Sequence, residues 1–429
     1  MKRLQRILVS VLVGCGILAV GLALALYLHV GPTGAPTSLT LPTAAAAAQA
    51  QDGMTPISQM TAPGFTLTDQ RGRAVSLSAF RGRAVVLTFL DPVCWYQCPL
   101  QAQDMKLMLR YLPASARANV ALVSVVTNPV VHSVAAVQAF DRAENLTTLP
   151  NWYFLTSSSV PALRHVWSRY FVDVSVPREG MVDHSQAFYL IAPDGQVKYL
   201  SEPSDVPSTF VGTAQLLAAY VARILNVTPT FPAGTTFSDA HLPTFVSATP
   251  AEARATVGTT MEGGGQGWKV AWQHGYEVLD ATHDGGKTWV NVSPAGVTKK
   301  GGLLAAFGRS GQAWVVVLPW GYTLTPLSFY TGDYGATWTY TGVWPGGSVA
   351  GAVTRPLAAS GSTAYWLTRS GLWAEQGSGA WRKLAATPTA LPGAATVTAD
   401  ASGGVTVAGH GGTVRWTPAG GWQPAGQGA

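Results

Sequence analysis

The chain opens on an apolar run from Ile7 to Val30 that carries no ionised side chain and follows a basic segment containing Lys2, Arg3 and Arg6. A helix needs about 20 apolar residues to cross a hydrocarbon core of ~30 Å, so residues 1–30 are predicted to form a transmembrane helix. Positive charge ahead of the span predicts a cytoplasmic amino end, with everything after it exported. The expected product is a single-pass protein of the cell membrane whose globular parts are extracytoplasmic. Two other fates compete. A cleaved signal peptide normally has a shorter apolar core. Lipidation at Cys15 would follow from Leu12-Val13-Gly14-Cys15, which fits a lipobox, although the run stays apolar beyond that cysteine. Residues 31–60, rich in Ala, Pro, Thr and Gln, are predicted to be a tether.

From residue 61 the pattern breaks into short blocks. Phe65 to Asp69 and Val75 to Ser78, separated by Arg71-Gly72, predict a hairpin. Val85 to Leu90 and Asn119 to Val126 are short, β-branched apolar runs, as buried central strands require. Helix-forming residues follow each: Leu100 to Leu112 after the first, Val134 to Ala143 after the second. Trp152 to Thr156 and Ala187 to Ala192 predict further strands, Asp194-Gly195 a hairpin turn into Val197 to Leu200, and Ser208 to Leu225 a closing helix. Strand, helix, strand, helix, hairpin, helix is the thioredoxin order, so 61–228 is expected to be an α/β thioredoxin-like domain.

Composition shifts after Asn226, and residues 229–254 are predicted to be a linker. Over 255–429 the pattern repeats. Thr282-His283-Asp284-Gly285-Gly286-Lys287-Thr288-Trp289 and Thr331-Gly332-Asp333-Tyr334-Gly335-Ala336-Thr337-Trp338 share T-x-D-x-G-x-x-W, the Asp-box pattern of β-propeller hairpins. Weaker echoes end at Trp381 and Trp422. The tryptophans stand roughly 40–50 residues apart, one four-stranded unit each. An all-β, propeller-like domain is expected, in which the boxes brace turns and do no chemistry. Sialidases also carry Asp-boxes, but no arginine triad or catalytic acid is identifiable here.

Composition agrees with export. Charged residues are 11% of the chain, well below the roughly 25% usual for soluble proteins, while apolar residues are 47%. The net charge of +6 has no basic run outside the amino terminus, which excludes a nucleic-acid footprint. No phosphate loop, zinc-protease motif or catalytic triad is present.

Three cysteines are too few for a disulfide framework. Cys15 falls in the apolar run, leaving Cys94 and Cys98, too close together for a structural staple. They sit where a strand passes into a helix, and helix-end N–H groups favour thiolate. Thiolates attack disulfides and also bind soft metals such as Cu(I) and zinc. The cysteines alone leave redox chemistry and metal binding open. In a thioredoxin-like fold Asp183-His184-Ser185 returns beside the cysteine turn, so His184 is a candidate third ligand and Asp183 a candidate for orienting its ring. His132 and His165 are expected to be surface or helix histidines.

Leu90-Asp91-Pro92-Val93-Cys94-Trp95-Tyr96-Gln97-Cys98-Pro99, with Asp183-His184-Ser185 and Leu190-Ile191-Ala192-Pro193-Asp194-Gly195, resembles the Sco/SenC family. The resemblance covers about 61–228 and implies a membrane-anchored copper protein serving the copper centre of cytochrome oxidase. It implies Cys94, Cys98 and His184 as copper ligands, and a respiratory oxidase subunit or another copper-accepting protein as partner. Many relatives carry an acidic stretch where this chain has Val126-Thr127-Asn128-Pro129, so roles of those carboxylates do not transfer. Trp95 and Tyr96 either shield the site or pack. A copper metallochaperone is the first expectation. A thiol:disulfide reductase working through Cys94 and Cys98 is the second, and an assembly scaffold in which the C-terminal domain is primary is the third.

Overall fold

The computed structural model describes residues 41–424, apart from 95, 179, 204–209, 233–245, 248–257, 274–275, 298–301, 319, 322–325, 344–356, 369, 388–395 and 410–411. The anchor expected over 1–30, with Cys15, lies outside the described residues. Among the described residues no helix is long and apolar enough to cross a membrane.

A six-stranded sheet organises the first region. Its strands are β1 (Thr55–Thr61), β4 (Ala84–Leu90), β5 (Val120–Val126), β6 (Trp152–Leu155), β9 (Phe188–Ile191) and β10 (Gln196–Ser201), in the order β1-β10-β9-β4-β5-β6. The hairpin pair β2 (Thr66–Thr68) and β3 (Ala74–Ser76) lies outside it, as does the pair β7 (Val174–Ser175) and β8 (Asp183–His184). β4, β5 and β6 run parallel, while β9, β10 and β1 alternate in direction.

All seven residues of β4 are buried because both faces of the sheet are covered. Side chains alternate across a strand. Ala84, Val86 and Leu90 meet Ala45 and Ala48 of α1 (Thr43–Asp52), Met105 and Met108 of α2 (Gln97–Tyr111), Val137 and Phe140 of α3 (Val134–Ala143), and Leu217 and Val221 of α5 (Phe210–Leu225). Val85, Leu87 and Phe89 point the other way, onto Leu163, Val166 and Trp167 of α4 (Val160–Arg169) and onto Tyr170. This is the expected thioredoxin-like arrangement. Helix α4 was not anticipated, although Ser159 caps its amino end through Ala162 N–H and a proline occupies its first turn.

The tether expected over 31–60 needs correction. Residues 43–52 form α1, and 55–61 form the edge strand β1, paired with β10. Low-complexity alanine suggests a spacer by composition, yet Ala is the best helix former and its small side chain permits close packing. A Cβ at Gly212 in α5 would stand 2.2 Å from the Ala44 carbonyl oxygen, so only glycine allows this approach.

The linker expected over 229–254 is described only at its ends. Phe231 packs on Tyr111 at 5.5 Å, and Val246–Ser247 pairs with Trp320–Gly321. Beyond it stand four four-stranded antiparallel sheets: Thr259 to Asn291, Leu303 to Val343, Leu357 to Ala385 and Thr396 to Pro424. The two Asp-boxes are built alike. Asp284 Oδ1 accepts from Thr282 Oγ1 (2.8 Å) and from the Thr288 N–H (2.9 Å). Asp333 Oδ1 accepts from Thr331 Oγ1 (2.7 Å) and from the Thr337 N–H (2.9 Å).

Later tryptophans of the repeat reach back to the preceding sheet. Trp381 Nε1 donates to Ser328 Oγ (2.9 Å) and Trp422 Nε1 to the Ala386 carbonyl (2.8 Å). Apolar clusters join the first sheet to the second, the second to the third, and the third to the fourth. Among the described residues none joins the fourth to the first. The all-β class is observed; a closed propeller is not. The first of these clusters also takes in Val93, Val131 and Ala136, so the two regions share a core.

Burial sets the pH response of the fold. Asp141, Glu144 and Glu375 are each pushed up to about 7 by desolvation, partly offset by donors such as the Trp152 indole, the Gln103 amide and the Thr341 hydroxyl respectively. Their unfolded values lie near 3.8 for Asp and 4.5 for Glu. Between these values and about 7 the native state binds more protons than the unfolded chain, so stability falls as pH rises through that window. Asp284 and Asp400, held down at about 2 by hydrogen bonds, act in the opposite sense only in stronger acid. The thermal midpoint is expected to be several degrees lower at pH 8 than at pH 5. Calorimetry showing a midpoint that rises between those pH values would contradict it.

Candidate functional site

The site begins where β4 ends. Asp91 is fully buried, and its Oδ1 accepts the Val93 N–H (3.0 Å) and the Asn128 amide (3.1 Å). The Cys94 N–H closes the turn onto the Asp91 carbonyl at 3.1 Å, and α2 starts three residues later. This tight passage places both cysteines at the helix start. Both are free thiols, 6% and 1% exposed.

Their surroundings make the thiols unequal. Cys94 is lowered by the Cys98 thiol that donates to it, against a desolvation cost, with help from the Cys98 and Tyr96 backbone N–H groups. Cys98 is pushed well above the usual thiol range by burial and by the neighbouring Cys94 sulfur. Of the two, Cys94 is therefore the more readily ionised and Cys98 the less. Burial also raises Asp91 to about 7, the Val93 and Asn128 donors opposing this, and its backbone N–H donates to Cys98 Sγ at 3.3 Å.

His184 arrives on β8, paired with Val174 of β7. Its Nε2 lies 3.7 Å from Cys98 Sγ, and its Nδ1 lies 3.1 Å from the Ser185 carbonyl. A carbonyl only accepts, so Nδ1 carries a proton, and in the neutral ring the Nε2 lone pair faces the sulfur. The orienting role considered for Asp183 falls to the Ser185 backbone instead; Asp183 itself is exposed. Thus the three expected residues come together, although His184 is 86 positions from Cys98. They are neighbours rather than a preformed ligand set. Among the described residues no group of three or more His, Cys, Asp and Glu side chains is already arranged to hold a metal ion. The donor chemistry, two sulfurs and an imidazole nitrogen, fits a soft ion.

Other residues at the site escaped the sequence reading. Gln186 bonds both Gln97 and Gln101 of α2, and Gln101 Oε1 accepts from Thr88 Oγ1 at 3.2 Å. This amide chain ties the segment after His184 to the helix that starts at the cysteines. Its only sequence signal was the four-residue spacing of Gln97 and Gln101, which puts them on one helix face. Tyr96 packs half-buried on the core, while Trp95 lies outside the described residues. His132 Nδ1 meets the Ser157 carbonyl at 2.6 Å and His165 is exposed, both away from the thiols.

Comparison with known proteins bears on the same segment. Residues 54–218 match the SCO1/SenC family model. The match takes in Cys94, Cys98 and His184 and spans well under half of the chain. No curated protein matches. The chain is similar to the solved structure of Bradyrhizobium japonicum ScoI with copper bound, at 21% identity and a TM-score of 0.32, over 38% of this chain and 99% of that one. It is similar to a SCO1/SenC family lipoprotein from Bacillus anthracis, at 24% identity and a TM-score of 0.33, over 38% of this chain and 95% of that one. Yeast Sco1 is similar at 19% identity and a TM-score of 0.31, over 39% of this chain and 96% of that one.

Proposed function

We propose that the thioredoxin-like region carries Cu(I) as cargo on Cys94, Cys98 and His184 and passes it to a copper-accepting subunit of a membrane respiratory oxidase. In this reading residues 1–30 anchor the protein in the cell membrane, which confines the search for the acceptor to the membrane plane. The four-sheet region would be a propeller-like docking platform. Its first strands, around Thr260, Ala305, Ala358 and Val397, line one cavity of about 390 Å³.

The observation that carries the reading is the 3.7 Å approach of His184 Nε2 to Cys98 Sγ, with Nδ1 already committed to a carbonyl. An unprotonated nitrogen aimed at a buried thiol can join that sulfur as a ligand to a soft ion once the thiol proton is lost. The family match and the copper-bound ScoI relative support it. Reduced protein is expected to take up one Cu(I) per chain in a titration against a chromogenic chelator, and Cys94→Ser protein to lose that uptake. Reduced wild-type protein that leaves all Cu(I) on the chelator would end the proposal.

A second reading rests on the unequal thiols. Cys94 thiolate would attack one sulfur of a target disulfide and expel the other as thiolate. Cys98, giving up its proton to that thiolate, would then displace the target, leaving Cys94–Cys98 oxidised and the target a dithiol. His184 is dispensable in that chemistry, so disulfide reduction that survives His184→Ala, together with absent copper uptake, would favour it.

A further inference from the structure

The loop Ser293–Val297 belongs to the all-β region, beyond the segment that matches the family, yet it touches both arms of the site. Asn128 donates from Nδ2 to Asp91 Oδ1 (3.1 Å) and to the Gly296 carbonyl (3.0 Å), while its Oδ1 accepts the N–H groups of Val130 and Val131 (2.8 Å each). Every polar atom of this buried amide is engaged. The partner on the inner side, Asp91, bonds Cys98 through its own N–H.

On the other arm the Gly296 N–H donates to the Pro177 carbonyl at 3.0 Å, Val297 forms a β-bridge with Gly180, and Arg178 Nη1 reaches the Ser293 carbonyl at 3.5 Å. Pro177, Arg178 and Gly180 stand just ahead of β8 and His184 in the chain. Val93, adjoining Cys94, is buried in the same apolar cluster as Val297. Gly296 has a φ of +71°, and a Cβ there would stand 3.0 Å from Val176 Cγ1 and 3.2 Å from Val182 Cγ2. A side chain there would be strained at this φ and would press on two valines that flank the histidine hairpin.

We propose that Asn128 and Gly296 are positioning residues through which the all-β region clamps the cysteine turn against the His184 hairpin and sets the Cys98–His184 approach. For copper this rests on the proposed function; for geometry it stands alone. The requirement for asparagine follows from proton count. Aspartate at 128 would keep the two accepted N–H bonds but would bring at most one proton to Asp91 and the Gly296 carbonyl, where the amide brings two. The all-β region is thus part of the site's wall, and not only a distant platform.

The test uses the full chain with Asn128→Asp and, should that variant fold poorly, Gly296→Ala. Hydrogen exchange of residues 174–185 is read alongside Cu(I) affinity by chelator competition. The expected result is at least tenfold faster exchange in 174–185, with β4 and β5 unchanged, and Cu(I) affinity lower by about 10- to 100-fold, as for lost supporting contacts at other metal sites. Exchange and affinity within threefold of wild type would overturn the clamp. So would exchange rising equally in β4 and β5, which would mark a merely structural contact. If wild-type protein itself takes no Cu(I), the copper reading fails by itself, and the exchange measurement still decides the clamp.

Discussion

Substituting His184 with alanine is expected to weaken Cu(I) binding by at least about 100-fold while leaving the thermal midpoint nearly unchanged. The lower bound follows because losing even a supporting residue at a metal site typically costs 10- to 100-fold, and His184 is proposed as a direct ligand. Stability should hold because the ring is only half-buried and sits on a two-residue strand. Asp183→Ala is the matching control. The Ser185 carbonyl, and not the Asp183 carboxylate, fixes the imidazole tautomer, so that variant should bind copper within a few-fold of wild type. Affinity measured by competition against a Cu(I) chelator separates the two. A His184→Ala protein within threefold of wild type would remove His184 from the ligand set and favour the thiol-exchange reading.

The second large effect concerns the strand that delivers the cysteines. Phe89 is fully buried in β4 and stands 5.6 Å from the Tyr170 ring and 6.2 Å from the Tyr189 ring. Its removal takes away transfer free energy and leaves a cavity that an aromatic cluster fixed from three sides cannot fill. Phe89→Ala is expected to destabilise the thioredoxin-like region by about 3–5 kcal/mol. In a region of this size that lowers its thermal midpoint by roughly 10 °C. Phe89→Leu, which keeps most of the volume, should cost less than about 1.5 kcal/mol. Denaturant melts of the three proteins check this, and a Phe89→Ala loss below that of Phe89→Leu would mean the cluster collapses without penalty.

Taken together, the contacts make the cysteine turn a junction between two regions. Asp91 links it inward to Cys98 and outward, through Asn128, to Gly296. Gln186 links the histidine segment to α2 from within the first region. Two independent ties to one hairpin explain how a site built on a turn and a two-residue strand keeps a defined approach between sulfur and nitrogen.

Much of this was legible along the chain, for local reasons. β4 and β5 announce themselves as β-branched apolar runs, and the α3 helix as helix-forming residues following the second of them. The Asp-boxes declare their turns because a carboxylate two residues past a threonine bonds nearby groups whatever the rest of the chain does. Cys94 and Cys98 fall between a strand and a helix, so their place in the fold could be read directly, whereas the burial that disfavours a Cys98 thiolate could not. Residues 43–61 were misread because alanine-rich composition does not reveal whether a neighbour exists to pack against. That neighbour is α5, far along the chain, with Gly212 opening the space.

The sequence by itself determined the central strands and most helices, the repeat and the reactive residue types, since hydrophobic period and turn chemistry act over a few residues. The tertiary structure alone decided that Ser185 rather than Asp183 orients His184, that Asn128 joins Asp91 to Gly296, and that Val93 and Val297 share one apolar cluster. Each of these depends on where remote groups come to lie, and a backbone carbonyl carries no residue identity by which a sequence could foretell its partner.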